Sequence, residues 1–286
     1  MNRLVHVAAL WSLVNHPSRS REWSLQQKMR QIAAAGFTGI FADLTPEHRH
    51  LAGKFGIEHL LGGFSAGSPV EYPALIRKQV ESGAIHINVQ LDDHDTPPRV
   101  AVRHWMRLER AAEKIGGVEV SLEIHRDCCT ETPEKTYEIA DRYHAQTGRL
   151  IRLTYDLSHF AVVKHLRPEN YSARLLVHPA LIQHCTQVHF RPFNGHHAQI
   201  PVTLAGELTP EVRAYLGFVH SFLQLWKKGL RSERARTLFA CPELGPMRER
   251  GAGYSISGFS PAWPDAVRLS TEIAKIWQDS RTLGSK

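Results

Sequence analysis

Four side chains able to ligate a cation stand at the ends of apolar runs in the second half of the chain. Leu150 to Asp156 closes on Asp156, Val118 to Ile124 carries Glu123, Thr186 to Phe190 carries His189, and Thr237 to Pro242 leads into Glu243. A carboxylate at the end of a buried strand costs several kcal/mol unless a cation or hydrogen bonds compensate it. Taken alone, Asp156 reads more readily as a cap on the turn that follows than as a site for chemistry. Taken together, three carboxylates and one imidazole suit a single divalent cation of hard to borderline character.

Residues so far apart in sequence meet only if their strands end at one face. The chain alternates strand and helix signals throughout. Strands are expected at Leu4 to Trp11, Thr38 to Asp43, Ile57 to Leu61 with Gly62-Gly63 as its exit loop, and Ala84 to Leu91. Four more follow at Val118 to Ile124, Leu150 to Asp156, Cys185 to Arg191 and Arg236 to Pro242. Helices fill the gaps: from the Ser24 cap to Gly36, His48 to Phe55, Pro73 to Ser82, Pro98 to Ile115 and Pro133 to Gly148. The last three are expected around Ala173 to Gln183, at Glu211 to Lys228 and at Trp263 to Trp277. Eight strand–helix units in 286 residues predict a single-domain (β/α)8 TIM barrel over residues 1–286 rather than a doubly wound sheet. Asp156 follows Glu123 by 33 positions and His189 follows Asp156 by 33, the length of one unit, while Glu243 lies 54 beyond His189. In such a barrel, residues at the C-terminal strand ends converge on one mouth.

Composition narrows the partners. The formal charge of +7 comes from scattered Lys and Arg, as in Lys227-Lys228, without a basic run, so it predicts a solvated surface rather than a nucleic-acid site. No stretch approaches the ~20 apolar residues of a membrane helix, and the short apolar opening, interrupted by His6, reads as a strand rather than a leader. Cys128, Cys129, Cys185 and Cys241 form no ribbon or CxxC pattern, which fits a reducing, cytoplasmic setting.

The strand-end motifs Glu123-Ile-His-Arg126, Asp156-Leu-Ser-His159, Val188-His189-Phe-Arg191 and Pro242-Glu243-Leu-Gly245, in that order, resemble those of the xylose isomerase-like TIM-barrel superfamily of sugar isomerases and epimerases. The resemblance covers nearly the whole chain. It implies that Glu123, Asp156, His189 and Glu243 hold one divalent ion, most often Mn²⁺, and that the two glutamates also move protons. Mg²⁺, Co²⁺ and Zn²⁺ are chemically admissible. The residue types make sense of such chemistry independently, because removing a proton beside a carbonyl is eased when a cation stabilises the enediolate while a carboxylate takes the proton.

Around this quartet lies an outer set. His159 either assists catalysis by meeting a substrate hydroxyl or orients Asp156. Arg191 either binds a substrate oxygen or pairs with Glu243. His125, Arg126, Asn88 and Gln90 are candidates for substrate contact or for supporting the site. Trp11 and Phe64 read as an apolar wall for a sugar ring or as core packing. The pair His196-His197 is a poor second metal site in a chain with 18 histidines.

The function expected is a metal-dependent sugar isomerase or epimerase with a small carbohydrate substrate, a homo-oligomer being compatible. A lyase acting on keto-sugars or keto-glycosides would use the same proton removal. A nuclease resembling endonuclease IV is disfavoured, since its trinuclear zinc site needs histidines where this chain has Gly62-Gly-Phe-Ser65 and Asn88-Val-Gln90. A non-catalytic barrel is the remaining alternative.

Overall fold

A computed structural model describes residues 2–229, 236–246 and 261–282. Eight parallel strands close into a barrel: β1 (Arg3–Ala9), β2 (Gly39–Ala42), β3 (His59–Ala66), β4 (His86–Leu91), β5 (Glu119–Glu123), β6 (Leu153–Tyr155), β7 (Gln187–His189) and β8 (Thr237–Cys241). Each strand pairs with its sequence neighbours, and β8 closes the ring by pairing Val5 of β1 with Phe239. The (β/α)8 barrel expected from the sequence is therefore present. Among the described residues no helix is long and apolar enough to cross a membrane.

Alternation along the strands divides the core in two. Outward side chains such as Ile40, Ile87, Leu122 and Leu153 pack with Trp105, Ile139 and Trp226 of the surrounding helices in one large apolar cluster. The inward side chains are segregated by strand. On the β8–β1–β2–β3 side Phe239, Cys241, Val5, Val7, Ala9 and Leu61 form a small apolar cluster, with Phe41 and Trp11 above it. On the β4–β7 side the interior is polar, with His86, Asn88, Ser121, Glu123, Thr154, Gln187 and His189 all buried. Buried polar groups need partners. His86 bonds Glu119 and Ser121 at 2.9 and 2.7 Å, and Ser121 shares a 2.5 Å hydrogen bond with Thr154.

Helix starts follow their caps. Ser24 Oγ accepts from the Gln27 amide while the Gln27 side chain accepts from Ser24 N, so the helix Leu25–Ala34 begins in a capping box. Two expectations are corrected. Gly62 and Gly63 are not the exit loop of β3 but lie inside it, where a Cβ would stand 2.6 Å from Gln79 Oε1 and 2.6 Å from Phe41 Cε2 respectively. They are glycine because neighbouring side chains approach the strand closely, not because the chain turns. The helix around Ala173 to Gln183 is two short helices, Tyr171–Leu175 and Pro179–His184, because Pro179 cannot continue a helix and instead opens the second.

Candidate metal centre

Glu123 is the last residue of β5, His189 the last of β7, Asp156 follows β6 directly and Glu243 follows β8 by two residues. Barrel closure brings the four together: one ligand atom from each lies within 4.8 Å of the others, and all four residues are buried. Atoms bound at ~2.0–2.3 Å to one centre can stand no more than about 4.6 Å apart, so the set needs contraction of only a few tenths of an ångström.

The electrostatics point the same way. His189 Nδ1 lies 3.0 Å from Glu123 Oε1 and 3.1 Å from Glu243 Oε2, yet Nδ1, Glu123 Oε1 and Asp156 Oδ2 are buried without an aligned hydrogen-bond partner. The opposite carboxylate oxygens are satisfied: Asn88 Nδ2 donates to Glu123 Oε2 at 2.6 Å, and the Ser158 amide and hydroxyl donate to Asp156 Oδ1 at 3.1 and 2.5 Å. Donors thus hold the outer side of each group while the inner atoms face a common point. Three carboxylates and Arg191 sum to two negative charges when His189 is neutral, and one divalent cation balances them. The residues fit such an ion.

Charge coupling is strong in this buried site. Burial pushes the Glu123 carboxyl up, but the adjacent His189 and the Asn88 hydrogen bond outweigh it and hold it at about 2. Burial likewise opposes ionisation of Asp156 and Glu243, and Arg191 and the histidines again prevail, keeping both below the usual carboxylate range. His189 is raised to about 10, burial being outweighed by Glu243 and Glu123.

The outer residues occupy distinct places. Arg191, 1% exposed, sits 3.2 Å from Asp156 Oδ2, pairs with Glu243 and lies over the Trp11 ring at 5.5 Å. His159 Nε2 lies 3.4 Å from Asp156 Oδ2, and its ring packs on His125 with centroids 4.6 Å apart. A cavity of about 590 Å³ opens above these four residues. Glu243, Asn88, Gln90 and His125 line it, and Trp11, Phe41 and Phe64 form its aromatic side. Arg126 is half-buried, does not line the cavity and accepts a 2.6 Å hydrogen bond from His125 Nδ1 through its carbonyl. His196 and His197 are exposed, their amides donating to Asn194 Oδ1. Sequence reasoning passed over Lys28, Asp43, His48 and Ser65, which also line the cavity, and Gln187 beneath it. Helix and strand periodicity alone does not mark them, because their direction depends on register against neighbours.

This closed parallel barrel, with its ligand-competent residues at the strand ends, has the fold of the xylose isomerase-like TIM barrels. It superposes on a protein from Rhodospirillum rubrum provisionally named a xylose isomerase, with a TM-score of 0.59 and 13% identity over 96% of this chain and 99% of that one. A sugar phosphate isomerase/epimerase from Parabacteroides distasonis gives 0.55 and 9%, covering 96% of each chain. A provisionally named 3-DHS dehydratase of petrobactin synthesis from Bacillus anthracis gives 0.52 and 12%, over 96% of this chain and 99% of that one. At these identities the likeness is one of fold. No protein-family profile matches the chain, and no curated protein matches it in sequence.

Proposed function

We propose that the protein is a metal-dependent isomerase or epimerase acting on a sugar or sugar derivative. The observation that carries this reading is the set of buried ligand atoms without hydrogen-bond partners, Glu123 Oε1, Asp156 Oδ2 and His189 Nδ1, facing one point beneath a cavity of small-molecule size. Glu123, Asp156, His189 and Glu243 would hold the ion, for which Mn²⁺ is the first choice and Mg²⁺, Co²⁺ and Zn²⁺ are admissible. When bound, the cation polarises the substrate carbonyl as a Lewis acid and so acidifies the neighbouring carbon.

The remaining work falls to the side chains. Trp11, Phe41 and Phe64 supply an apolar face for the sugar ring, and Asn88, Gln90 and His125 offer hydrogen bonds to hydroxyls across from it. Glu123 and Glu243 stand three strands apart around the ring, β5 against β8. One carboxylate removes the proton beside the carbonyl and the other returns one from its own side. His159, held against Asp156, and Arg191, held against Asp156 and Glu243, steady the charge of the site during that exchange. The names carried by the similar folds, a sugar phosphate isomerase/epimerase among them, support a sugar substrate. A cytoplasmic location agrees with four cysteines that are all buried and free, and a small carbohydrate rather than nucleic acid is the partner.

The test is metal analysis of the purified protein followed by incubation with ketoses, keto-glycosides and cyclitols in deuterated water. Solvent deuterium incorporated at carbon, or internal transfer between adjacent carbons, together with retained substrate mass formula, supports isomerisation or epimerisation. Loss of water or of an aglycone assigns elimination instead.

A further inference from the structure

Gln187 stands two residues before His189 on β7, so both side chains project into the barrel interior. It is fully buried, with its amide nitrogen Nε2 placed 2.8 Å from His189 Nε2 and its amide oxygen Oε1 buried without a hydrogen-bond partner. The other ring nitrogen, Nδ1, faces Glu123 Oε1 at 3.0 Å and Glu243 Oε2 at 3.1 Å, at the point where the ligand atoms converge. A neutral imidazole that offers its Nδ1 lone pair to a cation carries its hydrogen on Nε2. In a buried site that N–H needs an acceptor.

We propose that Gln187 is a positioning residue of the metal centre: its amide oxygen accepts from His189 Nε2–H and thereby keeps the Nδ1 lone pair directed at the ion. The proposal rests on the metal reading of the site. The oxygen and nitrogen of an amide have nearly the same shape, and a half-turn about the last side-chain bond exchanges them without moving His189. With the nitrogen on that side, as the structure places it, the amide donates to Nε2, the imidazole hydrogen sits on Nδ1 in the place of the ion, and Gln187 Oε1 stays buried without a partner; the half-turn removes all three conflicts. A purely space-filling glutamine would have no such preference. The orienting partner of a ligating histidine is commonly a carboxylate, a carbonyl or water, and its loss weakens metal affinity by about 10–100-fold.

The experiment titrates metal-free protein with Mn²⁺ by calorimetry, comparing wild type with Gln187→Met, which keeps the volume without an acceptor, and Gln187→Glu, which keeps only acceptors. Expected are a loss of about 10–100-fold in affinity for Gln187→Met and affinity equal to or tighter than wild type for Gln187→Glu. A folded Gln187→Met protein with wild-type affinity, or a Gln187→Glu protein as weak as Gln187→Met, overturns the proposal. The tautomer is read separately in zinc-loaded wild-type protein by long-range ¹H–¹⁵N NMR, the His189 signals being assigned by their loss in His189→Asn. Hydrogen on Nε2 supports the proposal and hydrogen on Nδ1 overturns it, and this measurement decides the matter if Gln187→Met does not fold. Wild-type protein that takes up no divalent ion refutes the metal reading and the proposal together, whereas unchanged uptake by Gln187→Met refutes the proposal alone.

Discussion

Arg191 holds Glu243 twice: its Nε donates to the Glu243 carbonyl at 2.9 Å, and its terminal nitrogen pairs with the Glu243 carboxylate. Glu243 lies beyond the end of β8, outside the strand ladder, so this clamp together with the Gly245 amide bonded to Gln199 at 2.8 Å fixes a carboxylate that no strand hydrogen bond positions. The same guanidinium faces Asp156 Oδ2 at 3.2 Å.

Replacing Arg191 by Met therefore removes the guanidinium shared by two buried carboxylates. Breaking one side of a buried charge pair costs about 3–5 kcal/mol. Urea unfolding of the metal-free protein should show a loss of that order for Arg191→Met. A loss below about 1 kcal/mol, the scale of an exposed ion pair, would show that Arg191 is not the charge partner these carboxylates depend on.

The two glutamates and the other two ligands should separate on substitution. Glu123→Gln and Glu243→Gln keep an oxygen that can coordinate but cannot accept a proton, so activity should fall by ~10²–10⁴-fold while metal is partly retained. Asp156→Ala and His189→Ala should lose metal first and activity as a consequence. Paired metal analysis and rate measurement check this. Full turnover by both Gln variants with metal in place would shift the chemistry to other residues at the mouth, His159 and Arg191 being the next to test.

At the opposite end of the barrel Glu119 should contribute to stability in acid. Burial pushes its carboxyl up, but His86, Arg152 and Thr186 together outweigh that and hold it at about 2, below its ordinary 4.5. A depressed folded pKa stabilises the protein fully above the ordinary value, and that stability is lost as pH falls from 4.5 towards about 2. Urea midpoints measured from pH 6 down to pH 2 should fall more steeply for wild type than for Glu119→Gln, with the difference confined to that window. Parallel profiles would mean the Glu119 contacts contribute nothing to folding.

Gly63→Ala tests the aromatic side of the cavity. The added Cβ would stand 2.6 Å from Phe41 Cε2 and 2.8 Å from its Cζ, and the Phe41 ring lies 5.1 Å from that of His189. Overpacking of this kind costs about 1–3 kcal/mol, and relief by moving Phe41 would narrow the cavity it lines. Thermal unfolding should register the loss, and KM should rise more than kcat falls if the ring contacts substrate. An unchanged melting temperature would mean the strand gives way instead of the ring.

That Glu123, Asp156, His189 and Glu243 would converge was legible in the sequence because they stand at the ends of apolar runs, where an ionisable group is costly and so conspicuous, and because the 33-residue steps between the first three match one strand–helix unit. The barrel was legible for the same reason of period: eight alternations with glycine and proline punctuation leave few other architectures. What only the tertiary structure decided is which way side chains face and what stands opposite them. Gly62-Gly63 reads locally as a loop, and only the approach of Gln79 and Phe41 makes it the middle of β3. Arg191 was ambiguous between substrate and Glu243 until the clamp placed it on Asp156 and Glu243 at once. Gln187 carries no signal of its own, since a glutamine at the start of a three-residue strand is unremarkable until closure of the ring seals it inside against His189 Nε2. Sequence periodicity encodes local conformation, whereas these relationships arise between strands whose register is set by the closed hydrogen-bonded ring as a whole.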